Sequence, residues 1–152
     1  MLRTENLTGP TPQKHEETGA HFIGNTACKT CHIDEGSSWK ATKHAHAYHT
    51  LEVAGHETDP DCLTCHTVGF GFSSGFRSVS ETPNHVNVGC ESCHGAGNIH
   101  VEHPQQKGYG VVTETTCLKC HTTENSPNFE FDHYFPKIVH TSGSTNTKAH
   151  GQ

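Results

Sequence analysis

The stretch Cys28-Lys-Thr-Cys31-His32 sets the pattern of this chain, because its Cys-x-x-Cys-His outline occurs three more times. The other copies are Cys62-Leu-Thr-Cys65-His66, Cys90-Glu-Ser-Cys93-His94 and Cys117-Leu-Lys-Cys120-His121. Together the copies use all 8 cysteines of the chain. The intervals between them are too uneven for a solenoid repeat, so the repeated unit is a chemical site and not a structural module.

A histidine directly after each cysteine pair indicates covalent haem attachment. Two thiols three positions apart can form thioethers along one porphyrin edge, and the adjoining imidazole can bind the iron. Zinc sites also use Cys-x-x-Cys, and thioredoxin-like proteins use one such pair, but neither needs a histidine after every pair. We therefore predict four haem c groups, whose proximal iron ligands are His32, His66, His94 and His121.

The composition favours a fold that is filled by cofactors. Only 30% of the 152 residues are hydrophobic, while 16 are histidine. A chain this small normally needs more apolar side chains to offset its conformational entropy. We predict a mainly α-helical multihaem cytochrome, packed around haem, with little regular secondary structure and a large irregular fraction.

Charge and hydropathy exclude some partners. The net charge of −6 and the lack of a basic cluster argue against a nucleic-acid surface or an anionic membrane. No stretch approaches the roughly 20 apolar residues of a membrane span. The N-terminal residues in this numbering form no signal peptide, yet haem is attached to such motifs outside the cytoplasm, so we expect an exported protein, periplasmic or extracellular.

We expect three segments along the chain: an extended N-terminal arm (1–24), a tetrahaem cytochrome domain (25–140) and a flexible tail (141–152). Within the domain we predict a helix from about Ser37 to Val53, ended by Gly55. The glycine- and phenylalanine-rich run from Gly69 to Phe76 predicts a tight turn or hairpin. A short helix capped by Asp132 should run through to His140.

The sixth ligand of each iron is expected to be histidine, because the only methionine is Met1. Among the twelve remaining histidines we favour His44, in a stretch where Ala45 and Ala47 supply small side chains, then His100 or His103, and then His140. The fourth distal ligand is less clear, and His15 and His21 in the arm are the candidates. Plain hydrogen-bonded or solvated roles are expected for His56, His85, His133 and His150.

Three segments resemble the cytochrome c-554 family of tetrahaem cytochromes over about residues 24–140. They are Ser38-Trp-Lys-Ala-Thr-Lys-His44-Ala45, the run from Asp61 to Gly71 around the second motif, and the run from Val88 to Gly97 around the third. The resemblance implies electron transfer through haems stacked in parallel and perpendicular pairs. It also implies distal roles for His44, for His100 or His103, and for His140.

The resemblance leaves three functions open. The chain could be a soluble periplasmic electron carrier with redox partner proteins. It also resembles small multihaem cytochromes that form extracellular conducting filaments, in which a histidine from one subunit completes a haem in the next. In the nitrification carrier the second haem lacks a sixth ligand, and an open iron at His66 would allow a small oxidoreductase acting on nitrogen compounds. Unless that second haem is open, we expect no enzyme activity. We also expect the protein to form a homo-oligomer.

Overall fold

The computed structural model describes residues 19–140. Eight short α-helices lie in this range, and none exceeds eight residues. They are α1 (Asn25–Lys29), α2 (Ile33–Lys40), α3 (Ala47–Ala54), α4 (Pro60–His66), α5 (Cys90–His94), α6 (Asn98–Glu102), α7 (Glu114–Cys117) and α8 (Phe131–Tyr134). Three 3-10 turns occupy Lys43–His46, Pro83–His85 and Phe135–Lys137. The predicted fold class, mainly helical with much irregular structure, is confirmed.

Each Cys-x-x-Cys-His motif forms a helical turn. The second motif ends α4 and the third constitutes α5. In the first and fourth motifs the histidine backbone N–H bonds the carbonyl of the leading cysteine, from His32 to Cys28 (3.0 Å) and from His121 to Cys117 (2.9 Å). Residues i, i+3 and i+4 share one face of a helix, so this geometry turns both thiols and the imidazole the same way.

The predicted helix from Ser37 to Val53 is wrong, because the structure interrupts it. The backbone of Thr42 is extended (φ −88°, ψ 160°), so α2 stops at Lys40, and a 3-10 turn leads into α3. Gly55 does end α3, in the left-handed conformation (φ 74°) that suits glycine. The interruption lets His44 leave the helical register.

The predicted helix from Asp132 to His140 is also wrong. It begins at Phe131 without a side-chain cap, becomes a 3-10 turn at Phe135, and ends at Lys137. Pro136 lacks the N–H that a continuing α-helix needs. His140 therefore lies beyond the helical turns.

The turn predicted at 69–76 is present. Phe76 closes it by donating its N–H to the Val68 carbonyl (2.8 Å).

The side-chain core is small and lies beside the second motif. Tyr48, Leu51, Leu63 and Phe76 form it, with Cys62, Phe70 and Val86 packed against it. Tyr48 and Phe76 have ring centroids 5.7 Å apart. The second motif is thus held by ordinary apolar packing between α3 and α4.

Buried polar side chains tie the first and third motifs together. The Glu91 carboxylate, 2% exposed, accepts hydrogen bonds from the backbone N–H groups of Ile23 (2.9 Å), Gly24 (2.8 Å) and Gly97 (2.8 Å). Asn25 in α1 accepts a hydrogen bond from the N–H of Cys90 (2.9 Å), at the start of α5. A buried carboxylate is tolerated here because backbone donors satisfy it.

The arm and tail predictions concern mostly residues 1–18 and 141–152, which lie outside the described residues, and His15 and His150 lie there too. Residues 19–24 of the arm are described, and Asn98 forms two hydrogen bonds with them. Its Oδ1 accepts from the N–H of His21 (2.7 Å), and its Nδ2 donates to the Gly19 carbonyl (2.9 Å). No helix among residues 19–140 is long and apolar enough to cross a membrane.

Replacing Glu91 with alanine should lower the free energy of unfolding by about 3 kcal/mol or more, because two buried N–H groups and one part-buried N–H group would lose a charged acceptor. Urea unfolding of the haem-loaded chain, followed by circular dichroism, measures the change. The control is Glu81→Ala, since Glu81 forms only an exposed ion pair with Arg77 and should cost less than about 1 kcal/mol. Equal losses in the two variants would contradict the structural role of Glu91.

Candidate functional site

Three of the four motif histidines have Nδ1 held by a neighbouring oxygen. His66 contacts the Ala47 carbonyl (2.7 Å), His94 the Gly110 carbonyl (2.6 Å) and His121 the Ser126 hydroxyl (2.8 Å). A carbonyl oxygen can only accept, so Nδ1 of His66 and of His94 carries the proton. The Nε2 lone pair is then free to bind a metal, as in other metal-ligating histidines.

His32 of the first motif has a weaker partner. Its Nδ1 lies 3.9 Å from the Glu35 carboxylate, which is too far for a hydrogen bond, and its side chain is about half exposed. Cys31 is the exposed cysteine of the eight. The first motif therefore lies nearer the surface than the other three.

The same three distal candidates that the sequence favours lie opposite motif histidines. Ring centroids are separated by 6.2 Å for His32 and His100, 6.1 Å for His44 and His121, and 6.0 Å for His94 and His140. Of the two candidates after the third motif, His100 forms the pair, whereas His103 is exposed. Each pair combines a histidine of one motif with a residue from a separate segment.

The spacing of these pairs fits a six-coordinate iron. Imidazole–metal bonds are about 2 Å long, and each ring centre lies about 1 Å behind its nitrogen, which gives a centroid separation of about 6 Å. Hydrogen-bonded rings would lie closer. The residues present therefore fit haem iron with two histidine ligands at the first, third and fourth motifs.

The pKa of His44 favours the ligating form of its side chain. Burial lowers this pKa and the neighbouring His121 lowers it further, while burial also lowers the pKa of His121. Both imidazoles are therefore neutral near pH 7, and a neutral imidazole is the form that binds metal.

His66 has no histidine ring opposite it among residues 19–140. The nearby His46 and His49 are exposed and bond elsewhere, His46 with the Lys40 carbonyl (3.2 Å) and His49 with the Glu52 carboxylate (3.2 Å). His21 is exposed too. The described part of the chain thus supplies three opposed pairs for four motifs.

Three acid or base groups near the second motif cluster weakly. Nδ1 of His56 lies 3.7 Å from the Asp59 carboxylate, and both approach Cys62. Asp59, however, caps α4 by accepting from the N–H of Asp61 (3.0 Å), and His56 is exposed. The cluster therefore lies at the start of α4, where Asp59 acts as the helix cap.

Contacts between cysteines show which motifs adjoin. Cys28 and Cys90 lie close enough to interact: Cys28 lowers the pKa of Cys90 to about 7, while Cys90 and then burial raise that of Cys28. Burial and then the neighbouring Cys65 raise the pKa of Cys120, and burial and then Cys117 raise that of Cys93. The first motif therefore adjoins the third, the third adjoins the fourth, and the fourth adjoins the second.

Two aromatic residues support the opposed histidines. Tyr109 stacks on His100 with centroids 4.6 Å apart and rings 7° from parallel, and its hydroxyl donates to the Gly95 carbonyl (2.7 Å). Phe129 stacks on His121 at 4.5 Å. Nothing in the sequence indicates the role of Tyr109 beyond its two flanking glycines.

Sequence reasoning also missed the segment that fixes His44. The Trp39 indole donates to the Val88 carbonyl (2.8 Å), and the Val88 N–H donates to the His44 carbonyl (3.1 Å). Asn87, in a left-handed conformation (φ 74°), accepts from the Tyr48 N–H (2.9 Å). The residues just before the third motif thereby hold His44 opposite His121.

Comparisons with known proteins indicate a family for this chain. Residues 27–95 match the family model described as cytochrome c554 and c-prime. Cytochrome c-554 of Nitrosomonas europaea is 32% identical over an alignment of 143 positions, and the match covers 71% of this chain and 61% of the relative. The chain thus spans about three fifths of that relative's length.

The solved structure of reduced cytochrome c554 from Nitrosomonas europaea superposes with a TM-score of 0.66 at 28% sequence identity. The superposition covers 80% of this chain and 85% of the other.

Proposed function

This chain belongs to the cytochrome c-554 family and binds haem c, and from this premise we propose that it conducts electrons through four closely spaced haems. The haems would supply reversible one-electron exchange between ferric and ferrous iron. The protein attaches them through eight cysteines and holds the motif histidines as proximal ligands. The three opposed histidine pairs carry the proposal, because two imidazoles per iron suit electron transfer and leave no position for a substrate.

We assign the distal ligands from these pairs. His100 would serve the first motif, His140 the third and His44 the fourth. The cysteine contacts order the sites first, third, fourth, second. The two ends of this series are the half-exposed first motif and the second motif, so electrons would enter at one and leave at the other.

Replacing His44 with alanine should convert one of the low-spin haems to a five-coordinate, high-spin form, because His121 would lose its opposed imidazole. Electron paramagnetic resonance of the oxidised, haem-loaded protein counts the low-spin sites. The matched control is His46→Ala, an exposed histidine two positions away in the same 3-10 turn. An unchanged low-spin count in the His44 variant would contradict this ligand assignment.

The second haem carries the alternative function. Since His66 faces no histidine within residues 19–140, its iron would have an open position where a small nitrogen compound such as nitric oxide could bind. Wild-type protein should then show one haem whose ferrous spectrum shifts with nitric oxide, while the other three stay unchanged. If none of the four haems responds, another ligand fills the position, and electron transfer remains as the proposed function.

The filament proposal depends on the same unpaired site. A histidine from the arm, His15 or His21, would complete the second haem of a neighbouring copy in an exported, extracellular assembly. A core as small as the one beside the second motif would gain from contacts between subunits. Without this exchange of a histidine ligand between copies, the protein would be a soluble periplasmic carrier that pairs with redox proteins.

Replacing both His15 and His21 with alanine should abolish filaments and leave discrete particles that retain four haems. Electron microscopy of protein recovered from outside the cell shows the difference, and His46→Ala with His49→Ala is the control, since these are exposed histidines with partners within their own segment. Filaments unaffected by the arm variants would contradict ligand exchange. Discrete particles in the wild type would favour the soluble carrier.

A further inference from the structure

The buried side chain of His85 has no hydrogen-bond partner among residues 19–140. Its side chain was expected to be solvated or hydrogen-bonded, but the residue is only 8% exposed, and both ring nitrogens lack a hydrogen-bond partner in the described range 19–140. An unsatisfied polar group in such a position costs about 1–3 kcal/mol. Buried polar groups nearly always have a partner, so the imidazole requires one other than the protein atoms of residues 19–140.

His85 lies where segments of three motifs meet. Its carbonyl accepts from the N–H of Val68 (2.8 Å), just after the second motif. The preceding residue, Asn84, accepts from the Thr26 hydroxyl in α1 (2.7 Å) and lies against Gly24. Since Cys90 follows a few residues later, haem attached at the first, second or third motif would be adjacent.

Iron is not the partner that the geometry indicates. The three opposed pairs bring each distal ring to about 6 Å from a motif histidine, whereas no motif histidine of the described chain lies opposite His85. The partner should instead accept a hydrogen bond from a ring N–H.

Haem carboxylates are acceptors of this kind, and the basic side chains that could otherwise pair with one are at the surface or engaged elsewhere. Lys40, Lys43, Lys107 and Lys119 are exposed. Arg77, the one arginine in 19–140, pairs with Glu81 (3.2 Å). Lys29 lies over the Trp39 ring (5.1 Å), and Lys137 over the Tyr134 ring (4.6 Å). A buried carboxylate without a donor would be expensive, and a buried imidazole N–H forms a charge-assisted hydrogen bond with it.

We propose that His85 donates a hydrogen bond to a carboxylate of the haem attached at one of the first three motifs. This inference rests on the proposed haem binding and adds a residue that tunes one site. By offsetting the negative charge of the carboxylate, the imidazole raises the reduction potential of that haem relative to a site without a donor.

The test compares His85→Leu with His85→Gln in the haem-loaded protein. Spectroelectrochemical titration should show that the reduction potential of one haem is lower in the leucine variant. The expected change is about tenfold in the redox equilibrium constant, which corresponds to about 59 mV for one electron. Glutamine keeps an N–H donor and should stay closer to the wild type. His49→Leu, at an exposed position, is the control and should change nothing.

Other outcomes overturn the inference. Unchanged potentials in His85→Leu, with unchanged carboxylate bands in redox-difference infrared spectra, would show that no haem carboxylate depends on His85. Loss of one low-spin haem in that variant would show that His85 binds iron instead. A wild-type preparation that contains no covalent haem contradicts the proposed function itself, whereas four bound haems with unchanged potentials contradict only the role of His85.

Where His85→Leu does not accumulate, an experimental structure of the haem-loaded wild type decides the question. A ring nitrogen of His85 within about 3.2 Å of a haem carboxylate oxygen supports the inference. A separation beyond hydrogen-bond distance from every haem carboxylate overturns it.

Discussion

The constraint on which this structure depends is the helical turn of each Cys-x-x-Cys-His motif. One turn aims two thiols and an imidazole in the same direction, so a helix needs only four or five residues to define a site. Short helices have little stability of their own and must be fixed by tertiary contacts. The chain supplies these as single buried groups, among them Asn25 and Glu91, which join the first and third motifs.

Opposed histidines explain why so much of the chain is irregular. A distal imidazole must reach a motif that is remote in sequence, at a fixed distance and orientation, and a continuous helix rarely meets both conditions. The break at Thr42 frees His44 from α2, and the bonds to Val88 then orient it toward His121. The 3-10 turn at Phe135–Lys137 similarly delivers His140 to His94 beyond the last helix.

The sequence was sufficient for the fold class, the family and the haem cofactor, because covalent attachment leaves a fixed local spacing. It also singled out His44, His100 and His140, which the structure places opposite motif histidines. Helix bounds were wrong at 37–53 and 132–140, since periodicity does not show where a 3-10 turn interrupts a helix. The burial of His85 and Glu91 could not be predicted, because both depend on contacts between segments distant in sequence.

The second motif is stabilised differently from the others, and this difference bears on its chemistry. Its histidine is oriented by the Ala47 carbonyl, and its helix packs on Tyr48 and Leu51 in the one apolar core of the described residues. At the other motifs, ligation by a distant histidine would couple haem binding to tertiary folding. At the second motif, apolar packing provides that tertiary fixation, so an iron bound there would not need a sixth protein ligand to hold the fold. The proposed open haem would therefore be the one whose position depends least on coordination.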